Sequence, residues 1–289
     1  MADPASVADL TDTLLAGGYL ADRGLATAVY VAMSLRRPVL LEGEVGVGKT
    51  ELAKVIAARY QRELIRLQCY EGIDTNQALY EWDYARQLLH IRALSEHQLA
   101  DDTTVDALFG PKFLLERPLL KAIRTGSSAV LLIDEIDRAD DEFEAFLLEL
   151  LSDFQISIPE IGTIAAAEPP LVILTSNRTR ELHDALKRRC LYHWIDYPSP
   201  EREIEIVLLR QPQVAQALAE QVVGAVHRLR ELELAKPPGV AETIDWARTL
   251  DFLGETTLTP AAADATIGAV IKEHDDLTLV RANLDELTG

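Results

Sequence analysis

The sequence has 289 residues, of which 48% are hydrophobic, and this size predicts one large or two modest domains with an ample core. Its 28 basic and 47 acidic residues give a formal charge of 28 − 47 = −19, and such a surface repels a phosphate backbone. This charge therefore disfavours nucleic acid as the main partner, although a local basic strip remains compatible with the composition.

Signals for membranes, export and disulfides are absent from the sequence pattern. Apolar runs such as residues 129–133 are too short to cross a bilayer, and we expect no membrane span. The chain begins with MADPASVADLTD, which is acidic and lacks the basic and apolar parts of an export signal. Cys69 and Cys190 lie far apart without metal-ligand spacing, so we expect buried, reduced thiols in a cytoplasmic protein.

The first predicted elements are a helix over residues 22–35 and a strand over residues 39–41, which leads into a glycine-rich loop. The loop reads Gly43-x-x-x-x-Gly48-Lys49-Thr50 and continues into a helix over residues 49–60. Glycines let the backbone N–H groups point inward, and the helix N-terminus favours an anion. Lys49 is expected to reach the β- and γ-phosphates of ATP, and the Thr50 hydroxyl to bind Mg²⁺. The predicted nucleotide contacts are Gly43, Glu44, Val45, Gly46, Val47, Gly48, Lys49, Thr50 and Glu51.

Further strands are predicted over residues 63–68, 129–133, 171–175 and 192–195. The third and fourth strands of the predicted sheet are continuous apolar runs, as expected for a parallel sheet that is buried on both faces. After Pro198-Ser199-Pro200 the pattern becomes entirely helical. The predicted helices cover residues 200–209, 214–234, 242–253 and 260–272, the last with Thr259 as N-cap and Pro260 at its first position. The predicted fold class is α/β, with a parallel five-stranded sheet flanked by helices and a smaller all-α domain.

Two carboxylates follow the apolar strand over residues 129–133. Asp134 is expected to hold Mg²⁺, usually through water, and Glu135 to orient and polarise the attacking water. Ligands of open parallel sheets bind at the carboxyl ends of the strands. An Asp-Glu pair alone is usually a solvated turn, but its place after a buried strand, downstream of a phosphate loop, favours function.

Polar and basic residues follow the next predicted strand. The Asn177 amide is a candidate contact for the γ-phosphate or the lytic water, and a plain strand-end turn is an equally weighted alternative. Lys187, Arg188 and Arg189 follow a helical stretch predicted over residues 180–186. They either offset a helix dipole and face water, or supply an arginine that stabilises transition-state charge in a neighbouring subunit.

Together, the phosphate loop, the LLIDE strand end, Asn177, the arginine pair and the trailing helices resemble the AAA+ ATPases in order and kind, over nearly the whole chain. Within these P-loop NTPases the chain is most similar to the MoxR group. DEIDRADDEFEAFLLELLSD resembles the DEINRA segment of that group, residues 155–164 its β-hairpin before the sensor strand, and residues 70–128 its insertion around helix 2. Two further segments are similar to CoxD-type proteins, namely LQCYEGIDTNQALYEWDYARQLL at residues 67–89 and KPPGVAETIDW at residues 236–246.

The resemblance implies a nucleotide-binding domain over residues 1–199, a helical lid over residues 200–289, and a homo-oligomeric ring, commonly a hexamer, that hydrolyses Mg-ATP to remodel a client. The similarity to CoxD-type proteins implies that the client is a metalloenzyme, a molybdenum-containing carbon monoxide dehydrogenase. It also implies a partner protein with a von Willebrand A domain. Arg189 is the first choice for the finger because the family's arginine directly precedes the residue that starts the last strand, here Cys190. Arg188 is the reserve.

The family's lid usually carries an arginine in a GASPR-like segment, and residues 239–245 have none. Arg248 is the nearest candidate, with an ordinary exposed helix arginine as the alternative. Gly18 and Tyr19 precede the first predicted helix, where the family lines its adenine pocket, and a plain turn is as well supported.

Two other functions remain open. A protein-threading unfoldase would grip polypeptide with the loop at Phe109, for which a turn with a buried ring is the alternative. A regulatory binding module would switch partners with nucleotide state and turn over slowly. Tyr80, Trp82 and Tyr84 either form a partner surface or pack inside, and the histidines show no metal-binding spacing.

Overall fold

The computed structural model describes residues 3–93 and 108–288, so residues 94–107 of the predicted insertion lie outside the described residues. The strands are β1 (Val39–Gly43), β2 (Glu63–Gln68), β3 (Tyr80–Trp82), β4 (Leu114–Glu116), β5 (Ala129–Asp134), β6 (Gln155–Ile158), β7 (Gly162–Ala165), β8 (Leu171–Ser176) and β9 (Leu191–Ile195). The helices of the first half are α1 (Val7–Ala16), α2 (Arg23–Leu35), α3 (Lys49–Arg59), α4 (Thr75–Ala78), α5 (Tyr84–Ala93), α6 (Pro118–Thr125) and α7 (Asp141–Asp153). Those of the second half are α8 (Asp184–Arg189), α9 (Pro200–Arg210), α10 (Gln216–Glu231), α11 (Val240–Phe252), α12 (Pro260–Thr266), α13 (His274–Ala282) and α14 (Leu284–Thr288).

The central sheet has five strands in the order β2-β5-β8-β1-β9. The pairs β2·β5, β5·β8 and β1·β8 are parallel, with Leu132 opposite Ile173 and Leu40 opposite Leu174. Every residue of β1, β5 and β8 is buried, because helices cover both faces of such a sheet. The predicted α/β fold with a five-stranded parallel sheet is confirmed.

Two predicted helices have wrong bounds. The prediction over residues 260–272 begins correctly, since Thr259 caps α12 by accepting from the Ala262 N–H, but the helix ends at Thr266. Thr266 bonds to the Ala262 carbonyl oxygen and accepts from the Trp246 indole, and a 3₁₀ turn follows. The tertiary bond to Trp246 outweighs the helical pattern there.

The helical prediction over residues 180–186 is also wrong, because α8 begins at Asp184 and includes the basic run in its last turn. Residues 180–183 are held in another conformation by two contacts. Arg180 Nε donates to the Ala139 carbonyl oxygen at 2.9 Å, and the His183 N–H donates to Glu144 Oε2 at 2.9 Å.

The insertion contains a short antiparallel pair, β3 and β4, and the aromatic residues around it have mixed environments. Trp82 is buried, Tyr80 is half-buried and Tyr84 is exposed. The ring of Phe109 packs edge-on against Trp82 with 5.5 Å between the ring centroids. Phe109 is half-buried and packs against the core, which agrees with the predicted turn except that its ring is not fully buried.

Residue contacts divide the chain into two compact units. The sheet unit comprises Met1–Thr13, Asp22–Glu42 and Ala53–His193, and its core includes Leu40, Leu131 and Leu174. The helical unit comprises Leu14–Ala21, Gly43–Leu52 and Trp194–Gly289, and its core includes Val222 and Trp246. The division groups the phosphate loop with the C-terminal helices, while the predicted boundary after residue 199 stays a prediction.

Both cysteines are free and buried. Burial, and after it the charges of Asp134, Asp137 and Glu135, raise the pKa of the Cys69 thiol to about 12. Burial also raises the pKa of Cys190 to about 12. Among the described residues, no helix is both long and apolar enough to cross a membrane.

Candidate functional site

The phosphate loop curls tightly where β1 ends. Gly43 and Gly46 have φ angles of 153° and 77°, which side chains disfavour. A Cβ at Gly43 would lie 2.1 Å from the Ile195 carbonyl oxygen, so only glycine fits there. The sequence thus provides a loop whose backbone can approach a ligand without intervening side chains.

Lys49 is buried inside this loop, with only 7% of the residue exposed. Its Nζ donates to the Gly43 carbonyl oxygen at 2.7 Å and to the Glu44 carbonyl oxygen at 2.6 Å. A phosphate oxygen accepts a charge-assisted hydrogen bond more strongly than a carbonyl does. The loop therefore suits a polyphosphate, and Thr50, which follows Lys49 on α3, brings a hydroxyl to the same segment.

Two further predicted nucleotide contacts lie beside the loop within the helical unit. The Tyr19 ring is 3.5 Å from the position of a Cβ on Gly48. Glu51 accepts from Arg210 Nη1 at 2.9 Å. Arg210, at the end of α9, was not predicted, because its distance along the chain from the loop leaves no local pattern.

The N-terminus of α11 contacts the loop through backbone atoms. A Cβ on Gly239 would lie 2.6 Å from the Val45 carbonyl oxygen and 2.7 Å from Gly46 Cα. The Ala241 N–H donates to the Gly46 carbonyl oxygen at 3.2 Å. The α11 N-terminus thus contacts the loop through its backbone, and the Glu242 carboxylate lies 3.0 Å from the position of a Cβ on Gly46. Arg248 is exposed on α11, and its guanidinium makes no hydrogen bond to the side chains or backbone of the residues described.

A buried carboxylate joins three helices of the helical unit. Glu203 on α9 is fully buried and accepts from Arg230 at 2.7 and 2.8 Å. His227 also bonds to Glu203 at 2.9 Å, and the Thr243 hydroxyl donates to it at 2.6 Å. Arg230 stacks on Tyr197 at 4.3 Å, while burial, then the charge of Glu44, raises the pKa of Tyr197. This cluster fixes α9, α10 and α11 as one body.

In the sheet unit, Asp134 lies at the end of β5 and is 3% exposed. Its Oδ1 accepts from the Thr175 hydroxyl at 2.5 Å, and its Oδ2 accepts from Arg66 Nε at 3.0 Å and Nη2 at 2.5 Å. A buried carboxylate that needs a positive neighbour is the kind of oxygen donor that Mg²⁺ prefers. Among the described residues, no group of three or more His, Cys, Asp and Glu side chains is placed to hold a metal ion. Mg²⁺ is typically held by one or two carboxylates together with water and phosphate.

Glu135 turns away from the strand with a left-handed φ of 55°. Its N–H donates to the Thr175 hydroxyl at 2.9 Å, and its Oε2 pairs with Arg138 Nε at 2.8 Å. Thr175 therefore holds both acidic residues at once. Neither Thr175 nor Arg66 was predicted, because the contacts depend on which strands are neighbours in the sheet.

Asn177 follows β8 and is half-buried. Its N–H donates to Asp137 Oδ2 at 3.2 Å, so the turn after β8 is joined to the turn after β5. Asp137 was missed in the sequence, where the only signal was a third acidic residue close behind Asp134 and Glu135.

Arg188 and Arg189 are exposed on the last turn of α8. Their carbonyl oxygens accept from Arg37 at 3.1 Å, which holds the backbone of this turn. In the part of the chain that the structure describes, no acidic side chain pairs with either guanidinium. Both are free to meet an anion outside this chain.

Comparison with known proteins identifies relatives of this architecture. The sequence profile of the family described as AAA domain (dynein-related subfamily) matches residues 38–190. The denitrification regulatory protein NirQ of Pseudomonas aeruginosa is 24% identical over 213 residues, covering 71% of this chain and 72% of NirQ. The gas vesicle ATPase GvpN1 of Halobacterium salinarum is 26% identical over 260 residues, covering 84% of this chain and 71% of GvpN1.

Among solved structures, a variant of RuvB from Thermotoga maritima superposes with a TM-score of 0.53. The two chains are 17% identical, and the match covers 99% of this chain and 81% of the RuvB chain. At this identity the likeness concerns the fold, and it agrees with the sheet and helices described above.

Proposed function

We infer the function of this chain from its family, because the chain belongs to the AAA domains of the dynein-related subfamily. ATP hydrolysis, the reaction predicted from the sequence, is confirmed by this membership and by relatives that are named ATPases. The observation that carries the assignment is the glycine loop with the buried Lys49, followed along the chain by an acidic pair at a strand end.

We propose that Lys49 and the loop amides bind the β- and γ-phosphates of ATP. Thr50 and Asp134 would hold Mg²⁺, which when bound neutralises phosphate charge. Tyr19 and Glu51 would line the nucleotide on the side of the helical unit, a proposal that their place beside the loop supports.

Glu135 is proposed as the residue that orients and polarises the attacking water. The Thr175 hydroxyl and the Arg138 ion pair, which hold its backbone and carboxylate, support this role. The side-chain amide of Asn177 would contact the γ-phosphate or the water. Positioning and charge stabilisation are most of what phosphoryl transfer requires, and these residues supply both.

The loop assignment is tested with Lys49→Ala. This variant should lose nucleotide binding, measured by titration with a fluorescent ADP analogue, while its thermal melting stays close to that of the wild type. Normal affinity would remove Lys49 from the phosphate site.

The hydrolytic assignment is tested with Glu135→Gln. The variant should bind ATP normally but hydrolyse it roughly 10²- to 10⁴-fold more slowly, the range for loss of a general base. Turnover at the wild-type rate would move the base to another residue.

We propose that the active form is a homo-oligomeric ring, a hexamer as in the resembling proteins, in which Arg189, or else Arg188, acts on the neighbouring subunit. The exposure of both guanidiniums supports action in trans. Mixing Arg189→Ala subunits with Glu135→Gln subunits should restore activity at hybrid interfaces. If the mixture is no more active than each variant alone, the arginine does not act on the neighbouring subunit.

We further propose that the chain assists metal-centre assembly in a metalloenzyme of the molybdenum-containing carbon monoxide dehydrogenase type. The support is the similarity of residues 67–89 and 236–246 to the sequences of CoxD-type proteins. Glu135→Gln protein trapped with ATP should co-purify with a molybdenum hydroxylase or a von Willebrand A protein. Retention of generic unfolded polypeptide instead would favour an unfoldase, which the packed ring of Phe109 disfavours.

A regulatory module with slow turnover is the second candidate, favoured by the similarity to NirQ, which is named a denitrification regulatory protein. The two functions differ in one outcome. If ATP binding alone suffices, Glu135→Gln should support the cellular function, whereas a remodelling ATPase should fail with this variant.

A further inference from the structure

We propose that Asp137 is a positioning residue for ATP hydrolysis, which fixes the turn that carries Glu135 against the turn that carries Asn177. The proposal rests on the roles given above to Glu135 and Asn177. Asp137 is 2% exposed and lies at the position where the resembling DEINRA segment has asparagine. Asp137 has no role in the phosphate loop or the acidic pair, so its burial needs another explanation.

One oxygen of this carboxylate holds the whole turn after β8. Asp137 Oδ2 accepts from the Asn177 N–H at 3.2 Å, the Thr179 N–H at 2.8 Å and the Thr179 hydroxyl at 2.8 Å. Its Oδ1 is buried and has no partner among the described residues. A carboxylate that accepts several hydrogen bonds with one atom fixes those donors relative to its own backbone. This carboxylate therefore joins the turns after β5 and β8 at residues 177 and 179, and the bond from Arg180 Nε to the Ala139 carbonyl oxygen joins them again farther along.

Both turns contain a residue in an unfavourable backbone conformation. Glu135 has a φ of 55° and Arg178 a φ of 56°, in the left-handed region that side chains disfavour. Such conformations persist only where the surrounding contacts determine them. The hydrogen bonds from Asp137 to residues 177 and 179 span Arg178, and Asp137 itself lies in the short 3₁₀ turn that follows Glu135. Asp137 is thus placed to hold both strained residues.

Catalysis is sensitive to this geometry, because misplacing a reacting group by about 1 Å costs on the order of 10²-fold in rate. Without the Asp137 carboxylate, the backbone N–H groups of residues 177 and 179 lose their hydrogen bonds to the turn after β5. Asp137 would therefore act through Glu135 and Asn177 and not by touching ATP.

The test compares kcat, KM and ADP affinity in Asp137→Ala and Asp137→Asn. Asp137→Ala should lower kcat on the order of 10²-fold with ADP affinity nearly unchanged, since the phosphate loop does not depend on this contact. Asp137→Asn keeps an oxygen that accepts the same hydrogen bonds and should restore kcat to within about tenfold of the wild type. Thr179→Val removes one donor and should lower kcat by a smaller factor.

Glu144→Ala is the matched control. Glu144 on α7 is also a buried carboxylate that holds the segment after β8, through the His183 N–H and an ion pair with Arg180, but these partners lie farther along that segment from Asn177. The control should lose thermal stability yet keep its kcat per folded molecule. A pure folding role for Asp137 would give the same result in both alanine variants.

Measuring Glu135→Gln in parallel distinguishes failure of the positioning role of Asp137 from failure of the hydrolytic role of Glu135. Inactive Glu135→Gln together with wild-type kcat in Asp137→Ala and Thr179→Val would overturn the positioning role alone. Wild-type turnover in Glu135→Gln would overturn the proposed hydrolytic site itself. If Asp137→Ala does not fold, wild-type kcat in Thr179→Val overturns the positioning role.

Discussion

The two units of this protein bury carboxylates in different kinds of place. In the helical unit, Glu203 lies between helices, and its partners Arg230, His227 and Thr243 come from α10 and α11. In the sheet unit, Asp134 and Asp137 lie in and after a strand end, and their partners belong to neighbouring strands or turns. A buried charge between helices mainly determines stability, whereas one at a strand end mainly determines the geometry of the turns around it.

Glu203→Ala should give the largest loss of unfolding free energy. A small loss would contradict the view that a carboxylate buried between helices mainly determines stability. Removing one partner of a buried ion pair leaves the other unpaired and costs about 3–5 kcal/mol of unfolding free energy. Chemical denaturation followed by circular dichroism measures the loss. Glu205→Ala, an exposed substitution on the same helix, is the control and should stay within about 0.5 kcal/mol of the wild type. Equal stability of the two variants would contradict a structural role for the cluster.

Gly239→Ala sharpens the comparison by testing the contact between α11 and the phosphate loop. The new Cβ would lie within 2.7 Å of two backbone atoms, so the loop or the helix must shift. Overpacking of this kind costs about 1–3 kcal/mol, and we expect ADP affinity to fall by about tenfold. Gly268→Ala, whose Cβ meets nothing within 4 Å, is the matched control and should bind ADP normally.

Arg66→Gln should give the smallest loss of stability, and the size of this loss should depend on Mg²⁺. It removes the positive partner of the buried Asp134, but Arg66 itself is half exposed, so we expect a loss of only about 1 kcal/mol in the absence of the metal. Mg-ADP should then stabilise this variant more than the wild type in thermal melting, because the metal replaces the missing charge. An identical Mg²⁺ response in both proteins would show that Arg66 does not compensate Asp134. Arg117→Gln, which breaks an exposed pair with Glu81, is the control.

The sheet and the phosphate loop were predictable from local sequence. Strands buried on both faces appear as uninterrupted apolar runs, and β2 matches its predicted range residue for residue. The loop is predictable because its glycines serve the backbone conformation of a single segment. The short strands β3 and β4 escaped prediction since three residues give no measurable periodicity.

The contacts that organise the candidate site were not predictable. Thr175 was expected only as the end of a strand, yet it holds Asp134 and the backbone of Glu135. Asp137 and Arg66 act across strands whose adjacency is set by the order of the sheet. Side-chain contacts between distant segments leave no pattern in either segment, so the sequence indicates the residues proposed to contact ATP more readily than those that hold them in place.

β5 and β8 are neighbours in the sheet but are separated along the chain, so the turn after β5 is synthesised before its contacts. The turn that carries Glu135 depends on Thr175 and, through Asp137, on residues 177 and 179, all of which are synthesised after α7 and the β6–β7 hairpin. Non-local strand pairings form late because the intervening chain must first be ordered. A nascent chain that has completed β5 but not β8 therefore carries Glu135 without its supporting turn. With the role proposed for Glu135, hydrolysis would require that β8, the fourth strand of the sheet in chain order, has paired.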